Sequence, residues 1–262
     1  MFNVYMSEAN IADRFDLTKW KTESLRMTAF LSPGSPITQQ NWWEEICGSP
    51  PEVRSSQPRT GVQQDEGSFA DGNTQGRLIL AVQPSRIDWL LALEVDPTSF
   101  DLPSVISFSE SVKSFTQLMN RWLNVTPNLQ RIAFGANLLL PFEDVKQAYE
   151  YLPAYFPLNK LDLKNAQDFN YRINRPRNVD DIPDLKINRL SSWSVMTFTT
   201  FQFTNVGSYT YSSNPSNVAI RLELDINTSI DFSGELSKDK LPEIFTQLVE
   251  YAKEIAIEGD VL

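Results

Sequence analysis

Hydrophobic and polar residues alternate along several stretches of the chain, which is the pattern of a strand with one buried and one wet face. The clearest stretch is 218–227, in which aliphatic residues alternate with Arg221, Glu223, Asp225 and Asn227. Similar patterns predict strands at 1–6, 25–31, 77–82, 87–95, 129–140 and 169–173. Another strand is predicted at 193–203, which is rich in Thr and Phe and has aromatic and β-branched residues on both faces. Turn-like residues between 82 and 87 predict that the two strands flanking them form a hairpin.

Two longer stretches carry hydrophobic residues at helical spacing. Ser107 and Glu110 have the spacing of a capping box, which predicts the start of a helix that extends to about residue 123. Pro242 is suited to the first turn of a C-terminal helix. Shorter helices are predicted at 38–46 and 143–152.

The order of these elements favours one fold class. Strands and helices do not alternate strictly, and several strands are half-exposed, which disfavours a doubly wound parallel fold. We expect an α+β fold, a mainly antiparallel sheet with several helices packed on it, including the C-terminal helix.

Residues 48–76 form the sharpest break in composition, because they are rich in Ser, Gln, Gly, Pro and Asp and poor in aliphatic side chains. Such a segment buries too little to offset its ordering entropy, so we expect a long mobile loop there. The favoured organisation is a single domain, 1–262, that carries this loop. The alternative is a small N-terminal unit, 1–47, followed by a main domain, 77–262.

Two scarce residue types restrict the chemistry, since the chain has no histidine and a single cysteine, Cys47. The absence of histidine excludes Ser-His-Asp and Cys-His catalysis and the commonest zinc, iron and copper ligand sets. A lone cysteine excludes an intrachain disulfide and favours a reducing compartment. The start of the chain lacks the features of a signal peptide and no apolar run is long enough for a membrane helix, so we expect a cytoplasmic protein without a cofactor.

The formal net charge of −10 argues against nucleic acid as a partner, because like charges repel. Signatures of dinucleotide-binding, P-loop and α/β-hydrolase proteins are absent from the sequence. We therefore assign no catalytic residue and no metal site, and we lean against an enzyme.

Trp42 and Trp43 are one candidate binding element, because they precede the predicted loop and large aromatic side chains anchor many interfaces. We expect one of the two in the core. The other candidate is Arg172, Arg175 and Arg177, whose guanidinium groups suit carboxylates and phosphates.

Three aspartates, Asp180, Asp181 and Asp184, follow these arginines directly. They lack the glycine and distal glutamate of a calcium loop, so a solvated acidic loop that neutralises the arginines is favoured over a cation site.

Three stretches resemble a sporadically distributed family of bacterial proteins of unknown function. They are 131–137 (RIAFGAN), 188–193 (NRLSSW) and 221–227 (RLELDIN), followed by the terminal helix. The resemblance covers the last half of the chain. It implies a bacterial source and an accessory or mobile-element context, and it brings no activity.

The leading functional hypothesis is a non-enzymatic protein-interaction module, such as an adaptor, immunity or assembly partner. A homo-oligomer is compatible with the sequence. One alternative is a carboxylate-based enzyme on a small substrate, with Glu223, Asp225 and Asp231 as general acid and base candidates. Another is an acidic mimic of nucleic acid, which would need the acidic residues gathered on one face.

Overall fold

The computed structural model describes residues 16–34, 41–93, 106–156, 163, 165–179, 182–198, 200–203, 209–212 and 218–260. The strand predicted at 1–6 lies outside these residues, and so do the first residues of the helix predicted at 38–46.

One large sheet dominates the described part of the chain, and every neighbouring pair of its strands is antiparallel. Its ten strands are β1 (Lys21–Leu31), β2 (Val53–Gln57), β3 (Val62–Asp71), β4 (Thr74–Gln83), β5 (Arg86–Leu93), β6 (Leu129–Phe142), β7 (Asn170–Asn174), β8 (Arg177–Asn178), β9 (Lys186–Thr197) and β12 (Val218–Thr228). The order is β2-β3-β4-β5-β1-β6-β12-β9-β7, with β8 also paired to β9. A separate hairpin consists of β10 (Thr200–Phe203) and β11 (Tyr209–Ser212).

Strand β1 lies in the middle of this sheet. Its residue Met27 is opposite Trp89 of β5 on one side and opposite Phe134 of β6 on the other. Residues from the segment 1–47 therefore share one sheet with strands from 77–262.

Four described helices cover one face of the sheet. They are α1 (Trp42–Cys47), α2 (Phe108–Leu123), α3 (Val145–Tyr151) and α4 (Leu241–Glu258), with 3₁₀ turns at Leu152–Tyr155 and Lys238–Lys240. Aromatic rings of the helices and of the first 3₁₀ turn lie at centroid distances of 4.8–6.5 Å from sheet rings in the pairs Trp43–Trp89, Phe115–Phe134, Tyr155–Trp193 and Phe245–Phe134. The register places these sheet residues on the same face. The opposite face, here called the open face, carries none of the described helices.

Helix α2 begins with the predicted capping pair. The Ser107 hydroxyl accepts a hydrogen bond from the backbone N–H of Glu110 and donates one of 2.7 Å to its carboxylate. In this way one of the otherwise unpaired backbone N–H groups of the first turn gains a partner, which favours the start of the helix at this position.

The predicted fold class is confirmed at the level of a mainly antiparallel sheet with helices that include a C-terminal one. One continuous cluster of buried hydrophobic side chains lies between the sheet and the helices. The strand pattern of 218–227 is now explained, because Ile220, Leu222 and Leu224 are buried in that cluster while Glu223 and Asp225 point to the open face.

The prediction of a long loop at 48–76 is wrong, since this segment contains β2, β3 and the start of β4. Its polar composition has a physical reason: these strands lie at the edge of the sheet, where β2 is exposed along its whole length. Ion pairs replace apolar burial there, with Arg54 bound to the buried Asp65 at 2.7 Å and Arg77 bound to Glu66 at 2.7 Å.

Glu52, which directly precedes β2, is hydrogen-bonded to β3 and β4. Its carboxylate accepts hydrogen bonds from the backbone N–H of Ser68 at 2.8 Å and from Arg77 at 2.6 Å. These hydrogen bonds lower the pKa of Glu52 to about 2. With a pKa this low, the Glu52 carboxylate stays ionised at neutral and mildly acidic pH.

Candidate functional site

The open face is built from alternate residues of neighbouring strands, which the antiparallel register aligns in rows across the sheet. One row runs through Leu90 of β5, Arg26 of β1, Gly135 of β6, Asp225 of β12 and Leu190 of β9. Between the two leucines at its ends, the row carries the charged residues Arg26 and Asp225 on either side of Gly135.

The next row lies two residues further along each strand. It runs through Ser24 of β1, Asn137 of β6, Glu223 of β12, Ser192 of β9 and Arg172 of β7. The Asn137 side chain donates a hydrogen bond of 3.0 Å to the Ser24 hydroxyl, so the two central strands are linked on this face.

These two rows, together with Asn170, line a cavity of about 540 Å³. We call it the open-face groove. Its size lies within the range of ligand pockets in proteins, which is about 300–1,000 Å³. Its lining is polar and charged, which is unlike the mainly apolar lining of most small-molecule sites.

Arg26 extends over the floor of the groove. A Cβ atom built on Gly135 would lie 3.6 Å from Nε and Nη2 of Arg26, so the guanidinium group lies above the backbone of β6. Glycine at this position therefore gives the guanidinium a flat surface beside Asp225.

Arg26 and Arg172 are both exposed, and neither has an ion-pair or hydrogen-bond partner within the described residues. The neighbouring Arg221 differs, because it pairs with Glu23 at 3.2 Å and with Glu223 at 2.5 Å. An unpaired guanidinium beside a cavity can bind a carboxylate or phosphate group without first breaking an internal ion pair.

The groove also contains two of the three carboxylates of the enzyme hypothesis. Glu223 is held by Arg221, and Asp225 accepts a hydrogen bond of 3.0 Å from the Asn227 side chain. The third, Asp231, follows β12 outside the groove and bonds to Ser229. The structure therefore brings together Glu223 and Asp225 but separates Asp231 from them.

The predicted arginine cluster is divided between the two faces of the sheet. Arg172 lies in the open-face groove, whereas Arg175 and Arg177 reach the helix side. Arg177 binds Glu254 of α4 at 2.6 Å, and the buried Arg189 binds the same carboxylate at 2.9 Å. Arg175 and Arg177 thus link the β7–β8 edge of the sheet to the C-terminal helix and to Asp260, which follows it.

Arg175 forms an ion pair with Asp260, a buried residue that also accepts a hydrogen bond of 2.5 Å from the Tyr171 hydroxyl. Burial alone would raise the pKa of Asp260, but the hydrogen bonds from Arg175 and Tyr171 outweigh it and lower that pKa. Arg175 and Arg177 are therefore neutralised by Asp260 and Glu254. Asp184 makes no such pair among the described residues, and Asp180 and Asp181 lie outside them.

Trp42 and Trp43 are both buried in the core, whereas we expected only one of them there. Trp43 stacks on Trp89 at a centroid distance of 6.2 Å, and Trp42 meets Trp122 edge-on at 5.8 Å. Neither ring offers an exposed face for a partner, so their predicted binding role has no support from the structure.

Cys47 ends helix α1 and lines a second cavity, of about 790 Å³, between the helices and β3. Burial raises the pKa of its thiol to about 11. A thiol with this pKa is almost entirely protonated at neutral pH, so it is a poor nucleophile.

Two further findings concern the described residues only. No three His, Cys, Asp or Glu side chains among them lie close enough to hold a metal ion. None of the helices in this part of the chain has both the length and the apolarity needed to cross a membrane.

No family model, curated protein or solved structure matches this chain.

Sequence reasoning missed Arg26, Ser24 and Asn137 as site residues. Each lies at a polar position of an alternating strand, and this was the only signal available. Which polar positions become neighbours depends on the strand order, in which β1, from early in the chain, lies beside β6.

Proposed function

We propose that this protein is a non-enzymatic protein-interaction module that binds its partner in the open-face groove. The observation that carries the proposal is the pair Arg26 and Arg172, two exposed arginines without partners among the described residues, lining one cavity. Arginine is enriched at interface hot spots because its planar group forms several hydrogen bonds at once.

The partner surface is expected to be polar rather than apolar. The groove lining consists largely of charged, amide and hydroxyl side chains, so a partner must supply matching charges and hydrogen bonds. Electrostatic complementarity of this kind contributes mainly to specificity and to the rate of association.

The test compares the wild-type protein with an Arg26→Ala, Arg172→Ala double variant in affinity capture from the native host. Arg59→Ala is the matched control, because Arg59 is an exposed arginine in the turn between β2 and β3, away from the groove. We expect the double variant to lose a stoichiometric protein that the wild type and the control retain. A double variant that is folded and captures the same proteins would overturn the proposal.

A second candidate function is favoured by one observation, the presence of both Glu223 and Asp225 in the groove. Two carboxylates in one cavity can act as general acid and general base on a small substrate. The test is to incubate the protein with a metabolite extract and to follow the consumption of each component by mass spectrometry. Consumption that is lost in an Asp225→Asn variant would support an enzyme, and unchanged consumption in that variant would oppose it.

A further inference from the structure

The cavity beside Cys47 is larger than the open-face groove, at about 790 Å³ against about 540 Å³. It lies between α1, α2 and β3, and we call it the helix-side cavity. Its volume is within the range of ligand pockets in proteins. The two cavities share no lining residue, so a molecule in one leaves the other free.

The helix-side cavity extends along α2. At one end Asn73, in the turn between β3 and β4, donates a hydrogen bond of 3.0 Å to Glu110 in the first turn of the helix. At the other end Arg121 lies in the last turn. The helix rises about 16 Å between Glu110 and Arg121, so the two ends of the cavity are well separated.

Arg121 lies at the end of the cavity near α1. It is exposed and makes no ion pair or hydrogen bond with the other described residues. Burial is the main influence on the pKa of the Cys47 thiol, and the positive charge of Arg121 opposes it, so the two side chains are close. Gln117 lies one turn earlier on the same face of α2 and adds amide donors. An anion can thus bind this guanidinium without first breaking an internal ion pair.

The carboxylates around the cavity leave this end free for an anion. Glu52 is bound by Arg77 at 2.6 Å, and Glu44 is bound by Arg54 at 3.0 Å. Asp71 lines the opposite end, beside the turn that contacts the first turn of α2. Its distance from the guanidinium exceeds the Debye length of about 8–10 Å, so its charge is largely screened there.

The Phe69 ring supplies an apolar surface between the two ends. It is half-buried and lies on the helix side of β3, two residues after Gly67, which contacts Trp43 of α1. Its cross-strand neighbour on β4 is Gly76, so no β4 side chain lies directly beside the ring. Phe69 is about 7 Å further along the cavity than Gly67.

We propose that the helix-side cavity binds a small aromatic carboxylate, with the carboxylate group on Arg121 and the aromatic ring against Phe69. Charge-assisted hydrogen bonds from the guanidinium hold the anionic group, and contact between the two rings holds the apolar body. This site is separate from the open-face groove and does not depend on the proposed partner.

The probes are naphthalene-2-acetate and its neutral analogue naphthalene-2-acetamide, which differ in charge but hardly in shape. We expect the wild type to bind the acetate about three- to tenfold more tightly in calorimetric titrations. In an Arg121→Gln variant the two affinities should become equal, and retained binding of the acetamide shows that the variant is folded. Arg59→Gln is the matched control and should keep the difference, because Arg59 lies outside the cavity. A Phe69→Leu variant should bind both probes more weakly, by a similar factor.

Cys47 reports where the probe lies, because it lines the cavity and is the only cysteine of the chain. Saturating naphthalene-2-acetate should slow its reaction with iodoacetamide at pH 9.5 by at least about twofold, since the probe restricts access to the thiol. An unchanged rate in the presence of bound probe would place the probe elsewhere and overturn the proposal. Equal affinity of the wild type for the two probes, binding of neither, or a difference that persists in Arg121→Gln would overturn it as well.

Discussion

Gly67 of β3 lies against the indole ring of Trp43. A Cβ atom built on Gly67 would lie 2.8 Å from Cζ2 of that ring, which is closer than carbon atoms approach without a shift. The ring cannot move freely, because it stacks on Trp89 within the core.

The Gly67→Ala variant should therefore be destabilised. Overpacking of a filled core costs about 1–3 kcal/mol, so we expect a lower free energy of unfolding by that amount in urea titrations. Gly135→Ala is the matched control in a strand of the same sheet. Its Cβ would lie no closer than 3.5 Å to any neighbour, and its stability should change by less than about 1 kcal/mol. Equal losses in the two variants would contradict the steric explanation.

Replacement of Trp43 by alanine should lower the free energy of unfolding, whether or not a partner is present. The side chain is buried and stacked, and removal of a buried tryptophan costs about 3–5 kcal/mol. Thermal unfolding followed by circular dichroism measures this loss. A Trp43→Ala protein as stable as the wild type would show that the ring does not contribute to the core. Binding losses in this variant say little about an interface.

Cys47 should resist alkylation at neutral pH. Since burial raises its pKa to about 11, the thiolate fraction at pH 8.5 is roughly a hundredfold lower than that of an ordinary thiol. The rate of reaction with iodoacetamide should therefore keep rising beyond pH 9, where a free cysteine peptide levels off. A plateau at the pH of the free peptide would disprove the raised pKa.

Asp260 should stabilise the protein at neutral pH and lose this effect in acid. Its pKa in the folded state is lowered from the ordinary value of 3.8, so folding favours the ionised form. The contribution is complete above the unfolded pKa and disappears as the pH falls through the lower folded pKa. An Asp260→Asn variant should lose about 1.5–3 kcal/mol at neutral pH, and the difference from wild type should shrink in acid.

The exposed Asp71 provides the control for this measurement, as Asp71→Asn removes a carboxylate of the same kind at the end of β3. The free energy of unfolding of the Asp71→Asn variant should equal that of the wild type at every pH measured. If the loss of stability in Asp260→Asn were the same in strong acid, Asp260 would stabilise the protein through its packing rather than through its charge.

Much of the sheet could be predicted from the sequence because each strand that faces the helices has its own alternation. Strand β12 is the clearest case, and the capping pair Ser107 and Glu110 located α2 equally well. Both signals are local, since they depend on residues within a few positions of each other.

Two features could not be predicted, for different physical reasons. Strands β2 and β3 contain few aliphatic residues, by which a strand is usually recognised, and they are stabilised instead by ion pairs such as that of Arg54 with Asp65. The open-face groove depends on long-range pairing, which places Arg26 and Arg172 on one face although 146 positions separate them along the chain. No periodicity within either strand contains that information.

The strand order has a mechanical consequence. Strands β1 to β5 come from one continuous part of the chain and β6 to β12 from the next, and β1 with β6 is the one described strand pair that joins the two half-sheets. Arg26 belongs to the first half and Arg172 to the second. A partner that binds both arginines therefore spans the β1–β6 strand pair. Separation of these two strands would then also break the contacts of the partner with Arg26 or Arg172.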